Sequence, residues 1–130
     1  MATSQTAVDL FGFAQIPDAA RIEEVLAKAA HDAGAVIVGR LFHTFPGGGV
    51  TGVLLLAESH IAIHTWPEED YAALDILMCG GAEAALAAES VARGLGVKTW
   101  SVQEVPRGFN RTTPPSPLHS IEEAGGIGSS

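Results

Sequence analysis

Hydrophobic and polar positions change period along the chain, and each change marks an element. Residues 7–14 are mostly apolar with Asp9 interposed, which predicts a strand; Pro17-Asp18 then breaks the run and offers a helix N-cap. Ile22, Val25, Leu26, Ala29 and Ala30 recur at helical spacing while Arg21, Glu23, Glu24, Lys28 and Asp32 take the other side, and Gly34 supplies the stop. A β-branched run starts at Ala35-Val36-Ile37-Val38 and continues to Phe45, where Pro46-Gly47-Gly48-Gly49 ends it in a hairpin loop. Residues 50–57, 61–66 and 71–78 read as three further strands. Gly80-Gly81 leads into an alanine-rich helix over about 82–93, closed by Gly94 and Gly96, and 97–105 alternates like a last strand. After Pro106 the pattern fails, and the Pro, Gly and Ser content of 107–130 predicts a flexible C-terminal tail.

Short connections between successive strands favour antiparallel pairing, and two helices suffice to cover one sheet face. The expected fold is therefore α+β: a two-layer α/β sandwich, its largely antiparallel sheet covered by two helices on one face. The other face, partly apolar, calls for a partner, which predicts a dimer forming a larger sandwich. The chain of 130 residues is expected to hold one domain, residues 1–106, followed by the tail.

Composition narrows the function. Seven Lys+Arg against fifteen Asp+Glu give a formal charge of −8, with the basic residues scattered, so a nucleic-acid partner is not expected and a cationic ligand meets a favourable field. Cys79 is the single cysteine, which rules out an internal disulfide. Neither a signal-peptide pattern nor an apolar stretch of membrane-spanning length is present, so a soluble, cytoplasmic protein with no membrane partner is expected.

The candidate chemistry lies in Glu58-Ser59-His60-Ile61-Ala62-Ile63-His64-Thr65-Trp66-Pro67-Glu68. A serine hydroxyl can attack the preceding carbonyl, converting the Glu58–Ser59 amide into an ester, if the turn strains the amide and donors stabilise the oxyanion. Removal of the Ser59 α-proton then expels the Glu58 carboxylate and leaves dehydroalanine, which tautomerises and hydrolyses to a pyruvoyl group. That ketone forms a Schiff base with a substrate amine and accepts the electrons released by decarboxylation, as pyridoxal phosphate would. With only Lys28 and Lys98 present and a chain too short for the usual pyridoxal folds, an internal carbonyl suits an amine-handling site better than pyridoxal phosphate.

His64, with an ordinary pKa near 6.5, is the natural base for the elimination, and Cys79, a thiol still protonated at neutral pH, is the candidate proton donor. On one regular strand Ser59 and His64 point to opposite faces, so the chemistry requires a turn or bulge at the junction. By spacing alone the same residues also fit a polar turn, a strand histidine and a buried thiol. Two other chemistries fit in part. His60, His64 and Cys79 could bind zinc, although a fourth ligand is not evident, so no metal is expected. Gly47-Gly48-Gly49 could cradle phosphate, but it lacks the Lys and following helix of a P-loop.

Over residues 8–105 the chain resembles the bacterial S-adenosylmethionine decarboxylase family, the pyruvoyl enzymes that feed aminopropyl groups into spermidine synthesis. The resemblance is carried by Phe42-His43-Thr44-Phe45, Gly49-Val50-Thr51-Gly52, Ala57-Glu58-Ser59-His60, Ile63-His64-Thr65-Trp66-Pro67-Glu68, Tyr71-Ala72-Ala73 and Cys79-Gly80. It implies autocatalytic cleavage of a zymogen into a β chain, 1–58, and an α chain, 59–130, that begins with the pyruvoyl group. It further implies roles: Ser59 as pyruvoyl precursor, His64 as processing base, Cys79 as proton donor, and Thr51 where the family commonly places a serine that assists processing. Phe45 matches an aromatic that stacks on adenine, and Glu68 an acid near the ribose hydroxyls. Family members are dimers whose sites use both protomers. Pro46-Gly47-Gly48 departs from the family pattern beside the adenine position, which leaves decarboxylation of L-ornithine or L-arginine as the alternative. An unprocessed regulatory paralogue is a further one.

Overall fold

A computed structural model describes residues 3–78 and 83–108. Cys79, the expected helix start at residue 82 and residues 109–130 of the expected tail lie outside the described residues.

The order is β1 (Thr3–Phe13), α1 (Ala19–Asp32), β2 (Ile37–Thr44), β3 (Val50–Leu56), β4 (Ser59–Trp66), a 3-10 turn (Pro67–Glu69), β5 (Tyr71–Met78), α2 (Ala84–Leu95) and β6 (Val97–Arg107). The strands form one antiparallel sheet in the order β2-β3-β4-β5-β1-β6, and both helices pack on one face, as the two-layer reading expects. Alternation along the strands sends Val8, Leu10, Val50, Leu54, Ile61, Ile63, Leu74 and Ile76 toward the helices, where they meet Ile22, Leu26, Ala88 and Val91 in a single core. No helix among the described residues is long and apolar enough to cross a membrane.

Asp18 caps α1 as expected, its side chain accepting from the Arg21 N–H at 2.9 Å. Gly96 caps α2 as expected, whereas Gly94 and Pro106 behave differently from the sequence reading. Gly94 does not end α2 but lies inside it, where a Cβ would come within 2.7 Å of Val25 Cγ1; the residue lets the two helices approach closely. Gly96, at φ 71°, is the left-handed cap. Pro106 does not end β6, which runs on to Arg107, because an edge strand tolerates a missing donor.

The face away from the helices carries Thr51 and His64 of the sequence-predicted site, with Ser59 on the other side of the pleat. Its register places His43 opposite Thr51, Thr51 opposite His64, His64 opposite Ala73 and Ala73 opposite Asp9, one row running from β2 to β1. Beside it a second row pairs Trp66 with Tyr71 and Tyr71 with Phe11. Leu41 and Leu55 on this face stay 71% and 52% exposed.

Candidate active site

The junction at Glu58-Ser59 is a tight turn, as expected. Leu56 pairs with Ser59, so only Ala57 and Glu58 connect β3 to β4. Glu58 adopts φ 66°, a left-handed conformation that favours glycine, directly before the bond that self-cleavage would break. The Ala57 N–H is held by the Val36 carbonyl at 2.9 Å, which fixes the turn from the side of β2.

Thr51 and His64 meet. They are cross-strand neighbours, and Thr51 Oγ1 is hydrogen-bonded to His64 Nδ1. In the neutral tautomer that carries its proton on Nδ1, the ring donates to the Thr51 hydroxyl and keeps the Nε2 lone pair free for base chemistry. Phe45 and Glu68 reach the same place: with His64, Trp66, Pro46 and Gly47 they line an open cleft of about 460 Å³. The Phe45 ring centre lies 6.1 Å from that of His64, and Trp66 lies 4.0 Å from His64 on the other side.

The glycine run builds the cleft floor. Gly47 and Gly48 have φ 96° and 97°, and a Cβ on Gly49 would sit 3.0 Å from the Thr65 carbonyl oxygen. The turn closes through Phe45 N–H to Gly49 O at 2.7 Å, and Thr65, buried beneath, accepts from the Val50 N–H at 2.9 Å. The loop therefore serves as a hairpin that presents Phe45.

Ser59 is not brought to His64 within one chain. No bulge interrupts β4, so the two stand five residues apart on one strand, about 17 Å at 3.3 Å per residue, and on opposite sides of the pleat. The turn that the sequence reading required lies before Ser59 and leaves this parity unchanged. The zinc reading gains no support from the described residues. His60 and His64 share a face with Cα atoms about 13 Å apart, His64 Nδ1 is engaged by Thr51, and Cys79 lies outside the described residues. Among the described residues no group of three His, Cys, Asp or Glu side chains is placed to hold a metal ion.

Three residues near the cleft were given no role by the sequence reading. Trp66 forms its wall, Tyr71 stacks on Trp66 at 5.3 Å, and Asp9 accepts the Tyr71 hydroxyl at 2.6 Å. The signal for Trp66 was its position two residues past His64, on the same strand face; Asp9 stood out as the single charge in an apolar strand, but only register connects it to Tyr71. The Asp9 hydrogen bond, together with partial burial and the Asp9 and Asp75 charges, raises the Tyr71 hydroxyl from 10.0 to about 12.

Known proteins similar to this chain in sequence and fold point in one direction. The chain is 42% identical over 98 residues to an S-adenosylmethionine decarboxylase proenzyme of Carboxydothermus hydrogenoformans, covering 75% of this chain and 77% of the relative. It is 41% identical over 97 residues to the proenzyme of that name from Geobacillus kaustophilus, covering 75% and 78%. The crystal structure of the adenosylmethionine decarboxylase from Aquifex aeolicus superposes with a TM-score of 0.74 at 29% identity, covering 88% of this chain and 97% of that one. A sequence profile described as S-adenosylmethionine decarboxylase matches residues 4–108, and on these grounds the chain belongs to the S-adenosylmethionine decarboxylase family.

Proposed function

We propose that this protein cleaves itself between Glu58 and Ser59 and then decarboxylates S-adenosylmethionine. The observation that carries the proposal is the left-handed Glu58 directly before Ser59, in the two-residue turn between β3 and β4. A backbone strained on the acyl side of the scissile bond raises the precursor toward the ester that relieves it. The product is a single domain, residues 1–106, in two chains, 1–58 and 59–130. The pyruvoyl group made from Ser59 supplies the ketone that takes up the substrate amine and the electrons left behind by carbon dioxide.

The chain's own residues do the remaining work. His64 removes the α-proton during processing with the free lone pair of Nε2, while its Nδ1–H donates to the Thr51 hydroxyl, which fixes that tautomer and steadies the imidazolium that forms. Cys79 returns a proton to the substrate carbon during turnover. Phe45 stacks on the adenine and Glu68 accepts from the ribose hydroxyls, both from the walls of a cleft of nucleoside size. An aromatic cleft suits a planar base better than the aliphatic stem of ornithine or arginine, and the names of the relatives favour the same substrate.

The protein acts as a homodimer in this reading. With about 17 Å between Ser59 and His64 in one chain, the His64 that serves a given Ser59 belongs to a second copy. Leu41 and Leu55, exposed on the open sheet face, supply apolar area for that contact.

Intact mass is the test. The purified protein should separate into a fragment ending at Glu58 and one starting at residue 59 that reacts with hydrazine, and it should release carbon dioxide from S-adenosylmethionine but not from ornithine or arginine. Ser59→Ala should yield one uncut chain. A Ser59→Ala protein that still cuts removes the mechanism, and carbon dioxide from a basic amino acid alone removes the substrate.

A further inference from the structure

We infer that Asp9 and Tyr71 form a brace that positions the aromatic wall of the substrate cleft, a role that rests on the function proposed above. Six rings run in contact across the open face, from Phe11 to His43, which meets Phe45 at 4.6 Å. Phe11 stacks on Tyr71 at 5.2 Å and 27°, Tyr71 on Trp66 at 5.3 Å and 14°, Trp66 meets His64 at 4.0 Å, and His64 meets Phe45 at 6.1 Å. The cleft lies along the Trp66, His64 and Phe45 part of this series.

Stacking alone holds such a series loosely, because Phe11 and Trp66 are 42% and 36% exposed and each ring can leave its rotamer at little cost. Polar anchors limit that freedom. Toward one end, Thr51 holds the His64 imidazole. Toward the other, the Tyr71 hydroxyl donates to Asp9 Oδ1 at 2.6 Å, a short bond to a charged acceptor and stronger than a neutral one. The side chain at position 73 makes the reach possible. Ala73 stands between His64 and Asp9 in the cross-sheet row, and its single methyl leaves room for the Tyr71 phenol to lean diagonally toward β1. With its hydroxyl pinned and Phe11 behind it, the Tyr71 ring presents a fixed plane to Trp66, which in turn limits the tilt of His64. The raised Tyr71 hydroxyl, at about 12 with Asp9 as the leading cause, agrees with a strong bond to that carboxylate.

Asp9 and Tyr71 act on the substrate only through Trp66 and His64, so they are positioning residues and their loss should act on binding more than on chemistry. In the cut enzyme, Tyr71→Phe and Asp9→Ala should each raise the KM for S-adenosylmethionine about five-fold, the effect of one lost hydrogen bond, with kcat nearly unchanged. The double variant should match either single one, because both break the same bond. Asp9→Asn keeps an acceptor and should restore most of the KM, while the tyrosinate absorbance, which reports Tyr71 alone because it is the single tyrosine, should shift its midpoint toward 10. A second readout needs no turnover: adenosine binding to the uncut Ser59→Ala protein, followed by tryptophan fluorescence, should weaken by a similar factor in Tyr71→Phe. An unchanged KM and adenosine affinity, losses confined to kcat, or additive effects in the double variant would overturn the brace. If the parent protein proves uncut and inactive, the proposed function falls, and the adenosine and tyrosinate measurements still decide whether Asp9 and Tyr71 brace the cleft.

Discussion

Glycine at position 58 should slow self-cleavage relative to alanine there. Glu58→Ala and Glu58→Gly both delete the carboxylate, so whatever it contacts cancels between them, and the pair differs only in Cβ at a residue held at φ 66°. A non-glycine residue in that region carries about 1–2 kcal/mol of strain, and glycine carries almost none. Cleavage turns residue 58 into a chain end and releases this strain. If most of it is already relieved at the rate-limiting step, the alanine variant starts about 1 kcal/mol closer to that step and cuts about five-fold faster, since 1.36 kcal/mol is a factor of ten. Denaturant unfolding of the two variants in a Ser59→Ala background measures the strain itself. Glycine should be the more stable there by about 0.5–1 kcal/mol, the backbone gain less the extra entropy of an unfolded glycine. Mass spectrometry over time measures the rates in the Ser59 background. Equal rates, or faster cutting with glycine, would show that the turn does not drive the reaction, whatever its stability.

Other outcomes follow from single contacts. Gly52→Ala should destabilise by about 1–3 kcal/mol, because its Cβ would lie 2.0 Å from the Phe42 ring and the aromatic must move; Phe42→Leu in the same chain should recover part of the loss in a thermal melt. Stability should fall as pH rises from about 10 to 12. The unfolded tyrosine loses its proton from about 10 while folded Tyr71 keeps its own to about 12, so the folded state binds more protons in that window; Asp9→Ala should flatten the slope, as measured by urea midpoints at each pH. Gly94→Ala gains helix propensity of about 1 kcal/mol yet meets Val25 Cγ1 at 2.7 Å, and the clash should win in the parent chain. In a Val25→Ala background, where the methyl is gone, the same change should stabilise, and melts of the four proteins check both signs.

The sequence by itself determined the elements and the family resemblance. Periods of two and of 3.6 are properties of local backbone geometry, so the six strands, both helices and the Asp18 cap were readable from side-chain spacing, with β5 read over its full extent. The Glu58-Ser59 turn was readable too, because strands on either side leave only a few residues to connect them. Gly94 and Pro106 were misread because a residue that breaks an isolated element is tolerated where a neighbouring helix needs the space or an open edge needs no donor. What tertiary structure alone decided is which residues face each other. Placing β1 between β5 and β6 is a non-local pairing that no spacing encodes, and it is this pairing that sets Asp9 near Tyr71. The β3–β4 register likewise puts Thr51 against His64, thirteen residues away. Side-chain identity fixes what a group can do, but hydrogen-bonded register across the sheet fixes what it can reach.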